Sequence, residues 1–364
     1  MTNRDFDFSA NGKYLASCCG ERSIIVWHTN EFESKDHKAV RGSFDYDNAH
    51  KICFAPDSIS LIACMEHDYE VAVHKLAKKD SSTLKIVEID GVKFPYGDLH
   101  KNEVISMGVS VNGKYLMTAS SDTTVVIRDL KGNVLKVLDS KLGNNYCTKI
   151  SHCGRFVGCS GFTPDVKVWE VEFARNDEFK DVTRAFDLKG HSSGIRSFDF
   201  NQDSTLMVSA SKDGTFRVWN TDIKYKLGQE PYLLLEKPCD ELKRSEYVSV
   251  ALSPNGEVVA LALDKIVKMF CAQSGDCLGV IKQDPLNNVP GLFSVGPKFS
   301  ADGKFILLAL NRQILIFHNV PGYRTSAKFA RDLAKKATSA AHKERLQQQA
   351  DEAELAAAKF PTCE

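Results

Sequence analysis

The sequence predicts an all-β protein, a ring of seven similar sheets forming a seven-bladed β-propeller, followed by an α-helical C-terminal tail. Three observations predict it. One phrase recurs seven times along the 364 residues: an apolar residue, a small polar one, a turn, an apolar run, a second turn, then an alternating strand that often ends in Trp. Aligning Ser9, Ala55, Ser110, Ser151, Asn201, Ser253 and Ser300 gives steps of 46, 55, 41, 50, 52 and 47 residues. The apolar residues in the last strand of each phrase alternate with a period of two, as in Thr215-Phe216-Arg217-Val218-Trp219; helical repeats would show a period of 3.6. A few such strands cannot bury their own apolar faces, but stacked radially they can.

The blocks follow in order. They open at Phe8, Phe54, Val109, Ile150, Phe200, Leu252 and Phe299, and the block at Phe200 is the clearest copy. Asn11-Gly12, Asn112-Gly113, Asn255-Gly256 and Asp302-Gly303 supply the tight turns after the opening strands, because Gly reaches positive φ at little cost. The steps fit the WD-repeat type of blade, which takes about 40–45 residues before loop insertions. The first block has Glu21 where Asp is expected and keeps Trp27; the third has Arg128 in place of Trp. Arg128 either projects onto a face as a contact or snorkels along its blade. The second, sixth and seventh blocks end Val73-His74, Met269-Phe270 and Ile316-Phe317, large apolar substitutes that core packing tolerates.

The propeller is expected over residues 1–320 and the tail over 321–364. The first blade opens at Asp5-Phe6-Asp7-Phe8, without the Gly-His lead-in of blades of this type, so the ring is expected to close with the seventh blade lacking its edge strand and residues 299–318 exchanging early. After Pro321-Gly322, Phe329, Leu333 and Ala337, then Leu346, Ala350, Ala353, Ala357 and Phe360, fall at helical spacing. Thr338-Ser339 marks a break between two helices, or a bend in one.

Bulk composition narrows the function classes. Lys plus Arg and Asp plus Glu both count 47, for a net charge of zero, which argues against strong nonspecific attraction to DNA, RNA or anionic membrane. No apolar run is long enough to span a bilayer, and the start does not read as a secretion signal. The 11 cysteines show no CxxC and no paired framework, and there is no Asn-x-Ser/Thr acceptor; Cys18, Cys64 and Cys159 fall on strands and read as small buried hydrophobes, in a reducing cytosolic setting. No metal or other cofactor is expected, since Cys18-Cys19 and Cys153 with Cys159 lack converging ligands at zinc spacings.

Within the fifth block Gly190-His191 precedes the first strand, Ser209 lies on the second, Asp213 in the tight turn and Trp219 on the third. His191 and Asp213 are 22 residues apart, as are His100 and Asp122 of the third block, where Thr118 takes the serine position. A Ser-His-Asp set invites a hydrolase reading. The members recur with blade periodicity, however, and there is no Gly-x-Ser-x-Gly elbow, P-loop or Gly-x-Gly-x-x-Gly. They read as a structural chain that ties outer loop, turn, strand and indole together, and the protein reads as no enzyme.

The fourth block is irregular. Gly161-Phe162-Thr163-Pro164-Asp165 replaces the ordinary Ser-x-Asp-x turn before Trp169. It is either a bulged turn with the ring packed down or a raised loop that offers Phe162 to a partner. The candidate interaction residues are Phe162, Thr163, Asp165, Ser193 and Arg196, with His191 on the same face.

The phrase Phe162-Thr163-Pro164-Asp165-Val166-Lys167-Val168-Trp169-Glu170-Val171, the run Ser120 to Gly132, the stretch Arg184 to Ser192, Asp222-Ile223-Lys224-Tyr225, Pro231-Tyr232-Leu233-Leu234, Phe317-His318-Asn319 and the tail Arg345-Leu346-Gln347-Gln348-Gln349 resemble the transducin β-like protein 2 family of WD-repeat propellers. The resemblance runs along essentially the whole chain and includes residues outside the repeat consensus. It implies a propeller held on the cytosolic face of the endoplasmic reticulum by a hydrophobic N-terminal segment, or a cytoplasmic form without that segment. It also implies a role in the unfolded-protein response through a stress-sensing kinase, and contact with messenger RNA and the ribosome.

Two function classes therefore lead: a protein-binding scaffold, and an RNA- or ribosome-contacting propeller. The second needs a basic patch, for which Lys35, His37, Lys38 and Arg41 with Lys75, Lys78 and Lys79 are the modest clusters. The structural reading of His191 predicts that His191→Ala costs about 1–3 kcal/mol in urea melts; a variant as stable as the parent would remove that assignment.

Overall fold

The computed structural model describes residues 3–34, 38–44, 47–67, 70–78, 84–95, 99–282 and 293–360. Its strands form seven antiparallel sheets, the blades, spanning Asn3–Ser43, Ala49–Pro95, Val104–Asp139, Asn145–Leu188, Ile195–Pro238, Val248–Lys282 and Phe293–His318. Blades one to six have four strands each. Blade seven has three among the described residues: Phe293–Phe299, Phe305–Leu310 and Gln313–His318.

The small polar residue at the head of each phrase has a local cause. Its hydroxyl closes the first turn. Tyr14 N–H donates to Ser9 Oγ at 2.9 Å while that hydroxyl donates to Asn11 Oδ1 at 2.8 Å. The same device recurs at Ser110 with Asn112 and Tyr115, at Ser253 with Asn255 and Val258, and at Ser300 with Asp302 and Phe305. Gly12, Gly113, Gly256 and Gly303 follow at φ of 68°, 67°, 73° and 70°. In blade two Ala55 holds the serine position, and Asp57 takes over by accepting from the N–H groups of Ile59 and Ser60 at 3.0 and 2.8 Å.

The core lies between blades. Phe156, Val166, Val168 and Phe186 of blade four meet Phe198, Phe200, Met207 and Trp219 of blade five. Val208, Val218 and Phe216 of blade five meet Val250, Val259 and Phe270 of blade six. Cys18, Cys64 and Cys159 are fully buried, and burial pushes the Cys159 thiol up to about 12. Cys159 is more than a small apolar filler: its thiol donates to Asn145 Oδ1 at 3.1 Å and accepts from Thr148 Oγ1 at 3.2 Å.

Around the central channel, innermost strands exchange side-chain bonds. Ile52 and Phe54 N–H of blade two donate to Asp5 and Asp7 of blade one at 3.2 and 2.9 Å. Thr148 N–H donates to Ser106 Oγ, Lys149 pairs with Asp199, and Leu252 N–H donates to Asp199. Lys298 of blade seven reaches Asp5 at 3.5 Å, Asp7 at 3.8 Å and the Phe6 carbonyl. On the same seam Asn3 N–H donates to the Asn311 carbonyl at 2.5 Å, and Phe6, Leu15, Leu307 and Ala309 form an apolar cluster.

After α1 (Glu241–Arg244), a short helix between blades five and six, two longer helices follow the last strand. Asn319 caps the first, α2 (Val320–Lys336), by accepting from Gly322 N–H at 3.0 Å. The second, α3 (Ala340–Ala358), folds back on it, with Arg331 paired to Asp351 and Glu354. Ser326 of α2 bonds Glu257 at the turn of blade six, and the Phe360 ring stacks on His318.

Burial holds the Asp7 carboxyl above its ordinary value despite Lys298 nearby. Lys298→Met would leave two neighbouring carboxylates without their cation, and should cost about 1–3 kcal/mol. An Asp whose folded pKa is raised stabilises most below its unfolded pKa, and that contribution is lost as pH rises through the folded value. Removing Lys298 raises Asp7 further, so the deficit should be larger at pH 7 than near pH 4. Urea melts of both proteins at the two pH values check this, and equal stability throughout would contradict the clasp.

Candidate functional site

The fifth blade shows what its Ser-His-Asp set does. His191 Nδ1 lies 2.8 Å from Asp213 Oδ2, and its Nε2 lies 2.8 Å from Ser209 Oγ. Trp219 Nε1–H donates to the same hydroxyl at 2.9 Å. Burial lowers the His191 pKa although Asp213 opposes it, so the ring is neutral at pH 7. Nδ1–H then donates to the carboxylate, Nε2 accepts the Ser209 proton, and Ser209 accepts from the indole. Asp213 also takes Thr215 Oγ1–H and the Ser192 N–H. Ser209 is fully buried, with its oxygen engaged on both sides. A nucleophile needs an oxygen that substrate can reach, so this chain fixes a loop and performs no attack. Gly190 is held at φ 137°, and a Cβ there would meet Arg217 Nη1 at 2.4 Å.

The third blade carries a variant. His100 Nε2 contacts Thr118 Oγ1 at 2.9 Å, as in the serine position, but Nδ1 contacts Thr124 Oγ1 at 2.6 Å. Thr124 in turn bonds Asp122, which also takes the Lys101 N–H. A threonine hydroxyl thus links ring and carboxylate, a relay the 22-residue spacing did not reveal. Arg128, in the Trp position, is buried along its blade. It donates to the Gly132 and Pro95 carbonyls at 2.8 and 2.9 Å and lies over the Phe94 ring.

The irregular turn of blade four builds a presenting surface. Phe162 N–H donates to the Asn144 carbonyl at 2.9 Å and Thr163 N–H to the Leu142 carbonyl at 3.2 Å. Lys167 Nζ caps the Ser140 carbonyl at 2.8 Å, and Ser140 bonds the buried Asn145. Gly161 admits this approach: a Cβ there would sit 2.0 Å from the Asn144 oxygen. Gly194 does the same on the other side, where a Cβ would come within 2.8 Å of the Phe162 oxygen. With its backbone so held, the Phe162 ring stands 65% exposed.

Of the sequence candidates, Phe162, Thr163 and Ser193 meet at this junction of blades four and five. Arg196 turns toward blade six and donates to the Glu246 carbonyl at 2.9 Å. Asp165 lies toward Arg184, whose guanidinium packs over Trp169 at 4.5 Å. Sequence reasoning missed Tyr146 and Lys212, which form a cation–aromatic pair at 5.6 Å. They are distant in sequence, and only the packing of blade four on blade five joins them. Gly161 and Gly194 were the available signal for a close loop approach.

Of the basic clusters, Lys35, His37 and Lys79 lie outside the described residues, as does the Lys78 side chain. Among the described residues no group of His, Cys, Asp and Glu side chains is arranged to hold a metal, and no helix is long and apolar enough to cross a membrane. A cavity of about 540 Å³ lies elsewhere, between blades five and six, lined by Cys239, Glu241, Arg244, Lys268 and Cys277 among others.

Comparison with known proteins bears on this architecture. The model of the WD domain, G-beta repeat matches residues 4–28, 97–129 and 183–220. Transducin beta-like protein 2 from Homo sapiens is 39% identical over 350 residues, covering 96% of this chain and 76% of that protein. The chain belongs to the transducin beta-like protein 2 family. The Mus musculus protein of the same name matches at 39% over 96% of this chain and 77% of its own length. Apoptotic protease-activating factor 1 from Danio rerio is 22% identical over 280 residues, 74% of this chain and 19% of that protein. Membership makes this a WD-repeat propeller of scaffold type, and no catalytic family is indicated.

The buried histidines set a pH limit on the scaffold. Burial lowers His100 to about 4, and His50 likewise. A histidine whose folded pKa is depressed leaves the unfolded chain holding more protons between that value and about 6.5, so stability falls as pH drops through this window. His100→Gln should flatten the pH dependence of urea midpoints between pH 6.5 and 4, by an amount on the order of 1–2 kcal/mol at the acid end. An unchanged slope would count against a neutral, buried His100.

Proposed function

We propose that the protein is a non-catalytic scaffold that docks other proteins on the loop face centred on Phe162. The observation that carries this is one aromatic residue, 65% exposed, on a backbone bonded to the loop at Leu142 and Asn144 and closely approached by Gly194. An exposed aromatic costs little to order when its backbone is already fixed, and such rings anchor interfaces. Ser193 supplies a polar group beside it, whereas the Thr163 hydroxyl is buried and Arg196 and Asp165 turn toward the Glu246 carbonyl and Arg184. The family resemblance supports a stress-sensing kinase as the partner class, in a stress-response adaptor at the cytosolic face of the endoplasmic reticulum.

A second reading rests on Tyr146 with Lys212. An aromatic face beside a lysine suits a nucleobase and its phosphate, and Phe162 on the same face suits another base. The same surface would then contact messenger RNA or the ribosome.

Phe162→Ser should lower capture of specific partners at least tenfold without moving the melting temperature, whereas Leu227→Ser, at a still more exposed site on another loop, should not lower it. Quantitative affinity capture with and without nuclease checks both readings. Partners that survive nuclease and depend on Phe162 support protein docking, and loss of all partners on nuclease treatment supports the RNA reading. Partners indifferent to Phe162 would overturn the site.

A further inference from the structure

Exposed apolar side chains concentrate on the outer strand of blade five, Tyr232–Pro238. Tyr232, Leu233 and Leu234 follow one another and are 54%, 41% and 48% exposed. At the matching places blade four carries Thr183-Arg184-Ala185 and blade six Asp276-Cys277-Leu278. A charge on an outer strand, such as Arg184, discourages pairing with another chain, and blade five has a leucine there. On its inner side the strand pairs with Thr215–Asn220. Among the described residues, which include all of 99–282, no strand pairs with its outer side. An exposed tyrosine and two exposed leucines in a row on a rigid edge mark a contact surface.

We infer that this edge is the contact between two copies of the chain, paired antiparallel about a two-fold axis that passes between Leu233 and Leu234. The strand itself selects that partner. Leu233 lies opposite Trp219 and Leu235 opposite Val218, so Leu234 is an extra, bulged residue. The bulge puts Tyr232, opposite Asn220, on the same face as Leu235 and as Lys237, which lies opposite Phe216. The two-fold then sets Tyr232 across from Leu235, Leu233 across from Leu234 and Glu230 across from Lys237, each of them twice. Apolar side chains meet apolar ones, and both ends close on opposite charges. An axis between Leu234 and Leu235 would instead set Tyr232 across from Lys237 and Leu233 across from Glu236.

The charges are available for this. Glu230 faces Lys189 at 3.5 Å, but both side chains are exposed and water weakens the pair. Lys237 forms no ion pair among the described residues. An anionic membrane or a nucleic acid fits less well, because Glu230 and Glu236 flank the apolar triplet. Fewer residues meet than the roughly 20–30 a side of a stable interface, so the dimer is weak and reversible. This surface is separate from the Phe162 loop.

Sedimentation velocity on the whole protein tests the inference. The weight-average mass should rise toward twice that of one chain between about 5 and about 200 μM, the range of a small, reversible interface. Leu234→Lys should abolish the rise and leave the melting temperature in place. Val137→Lys, on the outer strand of blade three and 44% exposed, should leave the rise unchanged. Glu230→Lys alone and Lys237→Glu alone should each weaken association several-fold, because each sets like charges together at both ends. An equimolar mixture of these two variants should associate as the parent does, since every facing pair is again of opposite sign. Phe162→Ser should associate like the parent, which separates this surface from the loop face. The inference is overturned if the parent stays a single chain throughout, even where Leu234→Lys lowers capture of some other protein, which would give the edge a different partner. It is equally overturned if association survives Leu234→Lys, which places the contact elsewhere, or if mixing the two charge variants restores nothing, which removes the proposed register.

Discussion

Closure of the ring is the constraint on which the rest of the molecule depends. Each blade is a twisted sheet whose apolar faces are buried only by its two neighbours, so an open ring would expose two of them. At six junctions the chain passes directly from one blade to the next. At the seventh, between blades seven and one, neither a chain connection nor a shared sheet holds the seam among the described residues. Three contacts replace them: Lys298 between Asp5 and Asp7, the Asn3–Asn311 main-chain bond, and the Phe6, Leu15, Leu307 and Ala309 cluster. The charge clasp also reaches a third blade, because the same two carboxylates accept from Ile52 and Phe54. Blades seven, one and two are thereby tied through one group of charges beside the channel.

A closed ring makes loop position predictable. The His191 chain fixes the loop before blade five, and the Asn144 and Leu142 carbonyls fix the turn of blade four. These anchors are side-chain and main-chain bonds in buried or half-buried settings, so each resists competition from water. Their effect is to hold Phe162 in place without burying it. A residue that stays exposed while its backbone is held contributes little to the fold.

The repeat was legible because one local need, closing a turn with a small polar side chain, is met seven times in almost the same words. Ser9, Ser110, Ser253 and Ser300 show it plainly, and even Ala55 is compensated only two residues later by Asp57. The helical tail was legible from spacing, and its break at 337–339 separates α2 from α3. Chemistry that depends on neighbours from distant blades was not. Nothing near Lys298 in sequence announces Asp5, and nothing near Tyr146 announces Lys212. The Thr124 link escaped for a subtler reason: the spacing from His100 to Asp122 does not say which hydroxyl stands between ring and carboxylate. Arg128 left two readings open, and burial against Gly132, Pro95 and Phe94 decides between them.

The buried hydroxyl of Ser209 shows how the blades meet one general requirement. Polar groups in a β-structure must be paired or left where water reaches them. Inside blade five every polar atom of the His–Asp–Ser–Trp chain has found a protein partner, and so the set is closed to substrates. An interior that satisfies its own hydrogen bonds leaves the loops as a part of the ring that faces solvent, the exposed Phe162 among them.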